Sequence, residues 1–425
     1  MALSPEELVI EGERDFRVHT AVYTDPAIFQ LEMARIFETT WVYVAHESEL
    51  PNPGDYLTTT IGTQPAIVSR DADGKIHVML NRCRHRGSVV CRAERGNTEY
   101  FRCPYHNWTY GRDGSLVAPA QKSGYPEDMN YGALSLARAQ VDTYRGLIFA
   151  RLSADGETLA QRLAQVAQYI DLWVERSPIG KITLPRGAHR YFYPANWKFQ
   201  MENGNDGYHG NYVHESFMKV VSRAGQKTVQ EFVAIRNTGS VVGLRYGDGF
   251  IDRPYGGMAG QFDYHDPRLA DYHGQLEQAY GRKRMEEILG QRNLLIFPNL
   301  FLFESHIRVI KPLSVNETVV VMHPTRLEGA PEELNRERLR THERFFGPAG
   351  FGAPDDIEIF VTSQTGMKAK AVDWLLIHRG MHRETLKNGV HVGAHSTDEA
   401  PQRAAYREWK RRMTGARRNP DNDAR

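Results

Sequence analysis

Three cysteines in 425 residues are too few to staple a secreted fold with disulfides. No stretch approaches the roughly eighteen uninterrupted apolar residues of a membrane span. The opening Met1-Ala2-Leu3-Ser4-Pro5-Glu6-Glu7 lacks the basic and apolar regions of an export signal. Neither a membrane nor an oxidising compartment is therefore expected, and the cytoplasm is the expected address. Charge of one sign is missing as well: 53 Lys and Arg face 52 Asp and Glu, so no long-range attraction to nucleic acid or to an anionic bilayer is expected. Internal repeats are absent. What remains is a chain with 41% hydrophobic residues, long enough for two or three domains with separate cores.

Two of the three cysteines stand in short clusters with histidines, Cys83-Arg84-His85 and Cys103-Pro104-Tyr105-His106. The pattern is C-x-H, seventeen residues, C-x2-H. Zinc sites favour cysteines paired two to four residues apart, which neither cluster offers. Soft thiolates hold ferric iron in sulfide clusters, while neutral imidazoles on a second iron raise the reduction potential. The spacing therefore predicts a Rieske-type [2Fe–2S] site, with Cys83 and Cys103 on one iron and His85 and His106 on the other. Tyr100, Phe101, Trp108 and Tyr110 would wall it in and keep water away. Cys91 reads as a small buried apolar residue.

Periodicity divides the chain. Asp25-Pro26 predicts a helix start, and Ile28, Leu31 and Ile36 continue it to about Phe37. Short β-rich runs follow, Tyr56 to Ile61, Ala66 to Ser69 and Lys75 to Leu80, with Val141 to Phe149 closing a sheet. One amphipathic helix is expected over 158–174. Beyond it, strands at 190–193, 239–246, 294–303 and 318–322 alternate with helices at 267–289, 331–345 and 364–376. The expected fold is α+β: an all-β Rieske domain followed by a second domain that mixes helices with an antiparallel sheet. The expected boundaries are a lead-in at 1–40, the Rieske domain at 41–155, the second domain at 156–414 and a frayed tail at 415–425.

A second metal site is suggested by Asp206-Gly207-Tyr208-His209 and His214. Two imidazoles and a carboxylate form the facial triad of mononuclear non-haem iron, leaving coordination positions open. Residues five apart lie about 140° apart on a regular helix, so a shared metal requires distortion, for which a π-bulge eased by Gly204, Gly207 and Gly210 is expected. Either Asp206 or an acid of the distant Asp355-Asp356 pair could complete the triad. Asp356 is favoured, because Asp206 can instead orient an imidazole from behind.

Together these residues resemble the large (α) subunits of Rieske non-haem iron aromatic-ring-hydroxylating oxygenases. The likeness runs from about Phe29 to Met413. It is carried by Cys83, His85, Cys103 and His106, by Asn196-Trp197-Lys198, by Glu202-Asn203 with Asp206-x-Tyr208-His209-x4-His214, and by Phe346-Gly347-Pro348-Ala349-Gly350 before Asp355-Asp356. The resemblance implies a Rieske cluster and a mononuclear Fe(II) held by His209, His214 and Asp356. It also implies that Asp206 bridges His209 to the partner's His106 in a trimer, so that electrons cross between subunits.

Asn203 and Tyr208 are expected beside the iron with Asp206. The implied partners are an aromatic substrate, O2 and an NADH-dependent flavin and iron–sulfur reductase, acting directly or through a ferredoxin. The implied assembly is an α3β3 complex, or α3. The Glu202-Asn203-Gly204-Asn205-Asp206 spacing and the 294–312 stretch look most like the benzoate and anthranilate branch. Gly352 stands where naphthalene-type relatives carry a bulky aromatic, which implies a different pocket volume. The expected reaction is cis-dihydroxylation of an aryl carboxylate; the alternatives are a Rieske monooxygenase acting by hydroxylation or demethylation, or a bare electron carrier. Phe199, Gly210, Phe297, Phe346 and Phe351 are candidate pocket walls. Arg308 could hold a substrate carboxylate or pair with a structural acid.

Overall fold

A computed structural model describes residues 4–223, 230, 234, 237–253 and 266–416. The chain separates into two units, one spanning 37–162 and the other combining 1–36 with 163–425. The frayed tail expected from 415 falls almost wholly outside the described residues.

In the 37–162 unit the predicted strands form. Asp55–Ile61, Gln64–Arg70 and Ile76–Leu80 pair antiparallel, and Arg95–Asn97 adds to the first of them. A second sheet joins Tyr100–Arg102, Thr109–Gly111 and Leu116–Ala118. The run expected at 141–149 is a hairpin, Gln140–Tyr144 with Leu147–Arg151, whose latter strand also pairs with Val42–His46. Its two-residue turn needs positive φ twice: Arg145 has φ 52° and Gly146 84°. Ile67, Met79, Phe101, Trp108, Tyr110, Leu116 and Leu136 form one core, and Cys83, Cys91 and Cys103 are buried within it.

The larger unit is built on a nine-stranded antiparallel sheet. Its order is His189–Tyr193, Glu317–Pro324, His306–Ser314, Leu300–Leu302, Gln291–Ile296, Gly249–Arg253, Ser240–Gly243, Val390–Gly393 and Thr385–Lys387. Alternation along His306–Ser314 turns His306, Arg308 and Ile310 to one face. Register places Arg308 opposite Met322 on one side and Phe301 on the other, and Met322 opposite His189. The helices Glu332–Phe346 and Gly352–Gly366 bring Phe346 and Phe360 against residues of this face: Phe346 against His306 and Phe360 against Tyr193.

Several elements differ from expectation. The single helix over 158–174 is two, Leu159–Leu163 and Ala167–Val174, with a turn between them. The 267–289 helix breaks at Gly281, where φ is 81°. The helix expected at 364–376 instead spans Gly352–Gly366, and Trp374–Leu376 pairs as a strand with Phe16–His19. The closing helix Ala400–Thr414 was not anticipated, because its arginines mask an apolar face of Ala404, Ala405, Tyr406, Trp409 and Met413. The lead-in helix does start at Pro26, with the Asp25 carboxylate accepting from Ala27 N–H at 2.8 Å, and it ends in a π-helical turn, Met33–Phe37. No helix among the described residues is long and apolar enough to cross a membrane.

Candidate active site and metal centres

The two Cys/His clusters fold into matching knuckles. In the first, Cys83 N–H donates to Ser88 O at 2.8 Å and Gly87 N–H to Cys83 O at 3.0 Å. In the second, Cys103 N–H donates to Trp108 O and Asn107 N–H to Cys103 O, both at 2.9 Å. Each knuckle turns on one residue of positive φ, Gly87 at 77° and Asn107 at 54°, and asparagine tolerates that region better than most side chains. The His85 and His106 rings meet at 4.6 Å between centroids, and His85 stacks on Trp108 at 5.0 Å.

The donor set fits a mixed thiolate and imidazole cluster. Cys83 and Cys103 are buried and not joined in a disulfide, and the buried His85 Nδ1 has no hydrogen-bond partner among the described residues, as a ligating nitrogen requires. Tyr110 Oη accepts from Arg84 N–H at 3.0 Å and lies 3.2 Å from Cys83 Sγ, so toward a ligating thiolate the hydroxyl would be the donor. Burial and the Cys83 thiol push the Tyr110 hydroxyl far up, which keeps it a donor. Cys91 is also buried; burial raises its thiol and makes it a poor nucleophile.

The second centre is assembled from distant segments. The helix Trp197–Asn203 begins with the Asn196 side chain accepting from Lys198 N–H at 3.1 Å. After it the chain does not form the distorted helix expected between the histidines. His209–Asn211 is a single 3-10 turn, and a new helix, Glu215–Arg223, starts at His214, whose carbonyl accepts from Met218 N–H. The break between two elements, not a π-bulge, lets both imidazoles converge. The glycines serve close approach: a Cβ on Gly204 would strike the Phe301 ring, and one on Gly207 the Ser396 carbonyl.

Asp356 sits in the first half of the Gly352–Gly366 helix. Its Oδ1 lies 3.4 Å from His209 Nε2 and 3.3 Å from His214 Nε2, and one ligand atom from each residue falls within 4.8 Å of the others. That trio, with one carboxylate and two imidazoles, fits a single divalent iron. Asp355 is turned away, with Oδ2 3.9 Å from His214 Nδ1 and accepting from Ser216 Oγ at 3.0 Å. Asp206 Oδ2 lies 3.3 Å from His209 Nδ1, and its Oδ1 accepts from Tyr208 N–H at 2.6 Å. Each imidazole thus presents Nε2 to the centre and Nδ1 to an outer acid.

Burial alone would raise Asp356; hydrogen bonding to His209 and the charges of His214, His209 and Arg308 overcome it and pull the carboxyl down to about 2. Burial would also lower His209, yet Asp206 and Asp356 hold it up at about 9. A bound cation would take the place of the proton that Asp206 and Asp356 favour on His209.

Asn203 joins the trio, with Nδ2 3.2 Å from His209 Nε2 and 3.1 Å from Asp356 Oδ1. Tyr208 lies elsewhere than its sequence position suggests. Its ring is exposed, with Arg379 stacked over it at 3.9 Å and Tyr212 edge-on, so only its backbone N–H reaches the site through Asp206. Among the candidate walls, Phe346 packs on Phe345, whose ring meets His214 at 5.1 Å. Nothing in the local Phe345-Phe346 pattern distinguishes which of the two rings reaches His214. Phe199 stacks on Tyr23 and Phe360, Phe297 packs near Trp197, and Phe351 is exposed.

Comparison with known families agrees with this geometry. Residues 40–144 match the Rieske [2Fe-2S] domain, and residues 182–415 match the catalytic domain of the ring hydroxylating alpha subunit. The chain belongs to the ring-hydroxylating oxygenase α subunits. Its cofactors are accordingly a Rieske cluster and a mononuclear iron, and a bare electron carrier is excluded by the catalytic domain. This α subunit is 35% identical to the anthranilate 1,2-dioxygenase large subunit of Acinetobacter baylyi, over 88% of its own length and 84% of the relative's. It is 32% identical to the toluate 1,2-dioxygenase subunit alpha of Pseudomonas putida, covering 97% and 94%. Naphthalene 1,2-dioxygenase with indole bound superposes with a TM-score of 0.86 at 27% identity, covering 97% of this chain and 95% of that one.

Proposed function

We propose that this α subunit is the terminal oxygenase that adds both atoms of O2 to the ring of an aromatic carboxylate, releasing a cis-dihydrodiol. The observation that carries the reading is the convergence of His209, His214 and Asp356 on one point inside the catalytic domain. The names of the anthranilate and toluate dioxygenase relatives support a carboxylated arene. When loaded, the two centres supply single electrons and a ferrous site for O2.

In this reading Cys83, His85, Cys103 and His106 ligate the Rieske cluster, and His209, His214 and Asp356 ligate the iron. Asp206 fixes the His209 tautomer and links it to the partner's His106. The Asn203 amide lines the iron's open side, and Tyr208 steadies Asp206 through its N–H. Electrons come from NADH through a reductase, directly or by way of a ferredoxin, to an α3β3 or α3 assembly in the cytoplasm. The domains responsible span 41–155 and 156–414.

The test is turnover of benzoate-like substrates under ¹⁸O2 with an NADH-driven reductase. Two labelled atoms in a dihydrodiol are expected. One labelled atom in the primary product overturns dioxygenation in favour of monooxygenation. Iron content of three per chain is expected, against two for a chain whose catalytic domain binds none.

A further inference from the structure

Arg308 is 2% exposed, yet among the described residues its Nε has no hydrogen-bond partner and no carboxylate lies within ion-pair distance. Burying a guanidinium without an anion is costly, and such a group is normally paired. Its guanidinium lies over the Phe303 ring at 4.4 Å and the Phe346 ring at 5.2 Å. Two histidines share this layer. His306 stacks on Phe303, with ring centroids 4.6 Å apart, and meets His342 at 4.9 Å. His306 Nε2 and both ring nitrogens of His342 are buried without a partner. A cation and two imidazoles, each with an unpartnered buried nitrogen, thus share one aromatic layer.

This layer is continuous with the iron centre. Phe346 touches Phe345, and Phe345 touches His214. Arg308 and Asp356 feel each other's charge without making contact. Burial and the neighbouring His189, Arg308 and Arg338 charges pull His342 down to about 3, and burial lowers His306 as well, so both stay neutral and each keeps one N–H to donate.

We propose that Arg308, flanked by His306 and His342, is the anchor for the substrate's carboxylate, setting the aromatic ring between Phe346 and the His209–His214–Asp356 centre. The inference rests on the aromatic-carboxylate reading above and assigns its anionic end. A planar guanidinium offers the carboxylate two parallel N–H donors. The neutral imidazoles add donors without a competing charge. The ligand supplies the anion that none of the described residues offers.

The experiment measures binding of benzoate, 2-aminobenzoate and the neutral benzamide to iron-replete, reduced holoenzyme under anaerobic conditions. Wild type is expected to bind at least one carboxylate about tenfold or more tightly than benzamide. Arg308→Gln is expected to weaken that carboxylate about a hundredfold while changing benzamide less than about threefold, with Arg308→Lys falling between. Ligand-free Arg308→Gln is expected to melt at or above the wild-type temperature, since it removes an unpaired buried charge. Equal weakening of carboxylate and amide, or a lowered melting temperature in both variants, overturns the anchor and makes Arg308 a structural residue. Carboxylates bound no better than benzamide by wild type also overturn it, while doubly labelled product from neutral arenes leaves the dioxygenase reading standing. Arg308-dependent binding with singly labelled product sinks dioxygenation alone.

Discussion

The two metal stations are built in opposite ways. The Rieske station comes from two adjacent knuckles with the same pair of backbone hydrogen bonds, so local chain geometry presents its donors. The mononuclear station draws one donor from a 3-10 turn, one from the start of the next helix and the third from a helix far along the chain. Local construction makes the first a self-contained clip. The second exists only when the sheet, the Glu215–Arg223 helix and the Gly352–Gly366 helix are all in place, and it needs outer acids to aim its imidazoles.

The sharpest way to break this contrast is to remove one donor from each kind of support. Asp356→Ala is expected to cut bound iron from three to two per chain and product formation by about a thousandfold or more, while the visible Rieske spectrum is unchanged. Asp355→Ala, which removes only the acid behind His214, is expected to weaken iron binding by about 10- to 100-fold. Iron retained in Asp356→Ala and lost in Asp355→Ala would reverse the assignment. Asp206→Asn is expected to keep all three irons and to slow reoxidation of the reduced cluster, with substrate and O2 present, by about a hundredfold in single turnover. An unchanged rate would reduce Asp206 to a positioning role for His209.

The same contrast decides what could be read in the sequence. The knuckles were legible because each donor pair sits in one short motif whose spacing is itself the geometry. His209 and His214 were legible as candidates, but not the way they meet: a five-residue gap suggested a bulged helix, whereas the chain ends one element and begins another. The role of Gly207 depends on Ser396, nearly two hundred residues away, and no local pattern encodes it. The Ala400–Thr414 helix hid for a related reason, since Trp409 and Tyr406 bury into partners from the first 32 residues, Glu32 and Tyr23. Arg308 could be noticed but not resolved, because the decisive fact is that no acid among the described residues pairs with it across the sheet.

Two carboxylates near the second station sharpen the comparison further. Asp356 is held ionised by imidazoles, whereas burial pushes Glu202 up to about 7 despite hydrogen bonds from Tyr23 and Tyr406 and the nearby Lys198 charge. The Tyr23 hydroxyl lies 2.6 Å from Glu202 Oε1 and 2.5 Å from the Tyr406 hydroxyl. Because the folded state holds this proton more tightly than the unfolded chain, folding stability falls as pH rises from about 4.5 to 7 and then levels. The contribution is about 3 kcal/mol across that window. Glu202→Gln keeps the acceptor oxygen and removes the titration. Denaturation midpoints at pH 5 and pH 8 should therefore lie closer together in the variant than in wild type, and an unchanged spread would mean Glu202 is ionised in the folded protein.

The smallest effect belongs to the first station, where the protein tunes a cluster it already holds. Tyr110 accepts from Arg84 N–H and lies 3.2 Å from Cys83 Sγ, where a thiolate has no proton to give and the hydroxyl would donate. A hydrogen bond to a ligating sulfur withdraws charge and favours the reduced state. Tyr110→Phe removes that donor and leaves the ring in the core. A net hydrogen bond of about 0.5–1.5 kcal/mol corresponds to roughly 20–60 mV for one electron, so the midpoint potential should fall by about that much. Cluster content and the mononuclear iron should be untouched, because only Arg84 N–H loses its acceptor while the knuckle's Cys83–Ser88 and Gly87–Cys83 backbone bonds remain. A potential that stays fixed would place the hydroxyl's proton away from sulfur, and a lost cluster would show that the first station is less self-contained than its matched knuckles indicate.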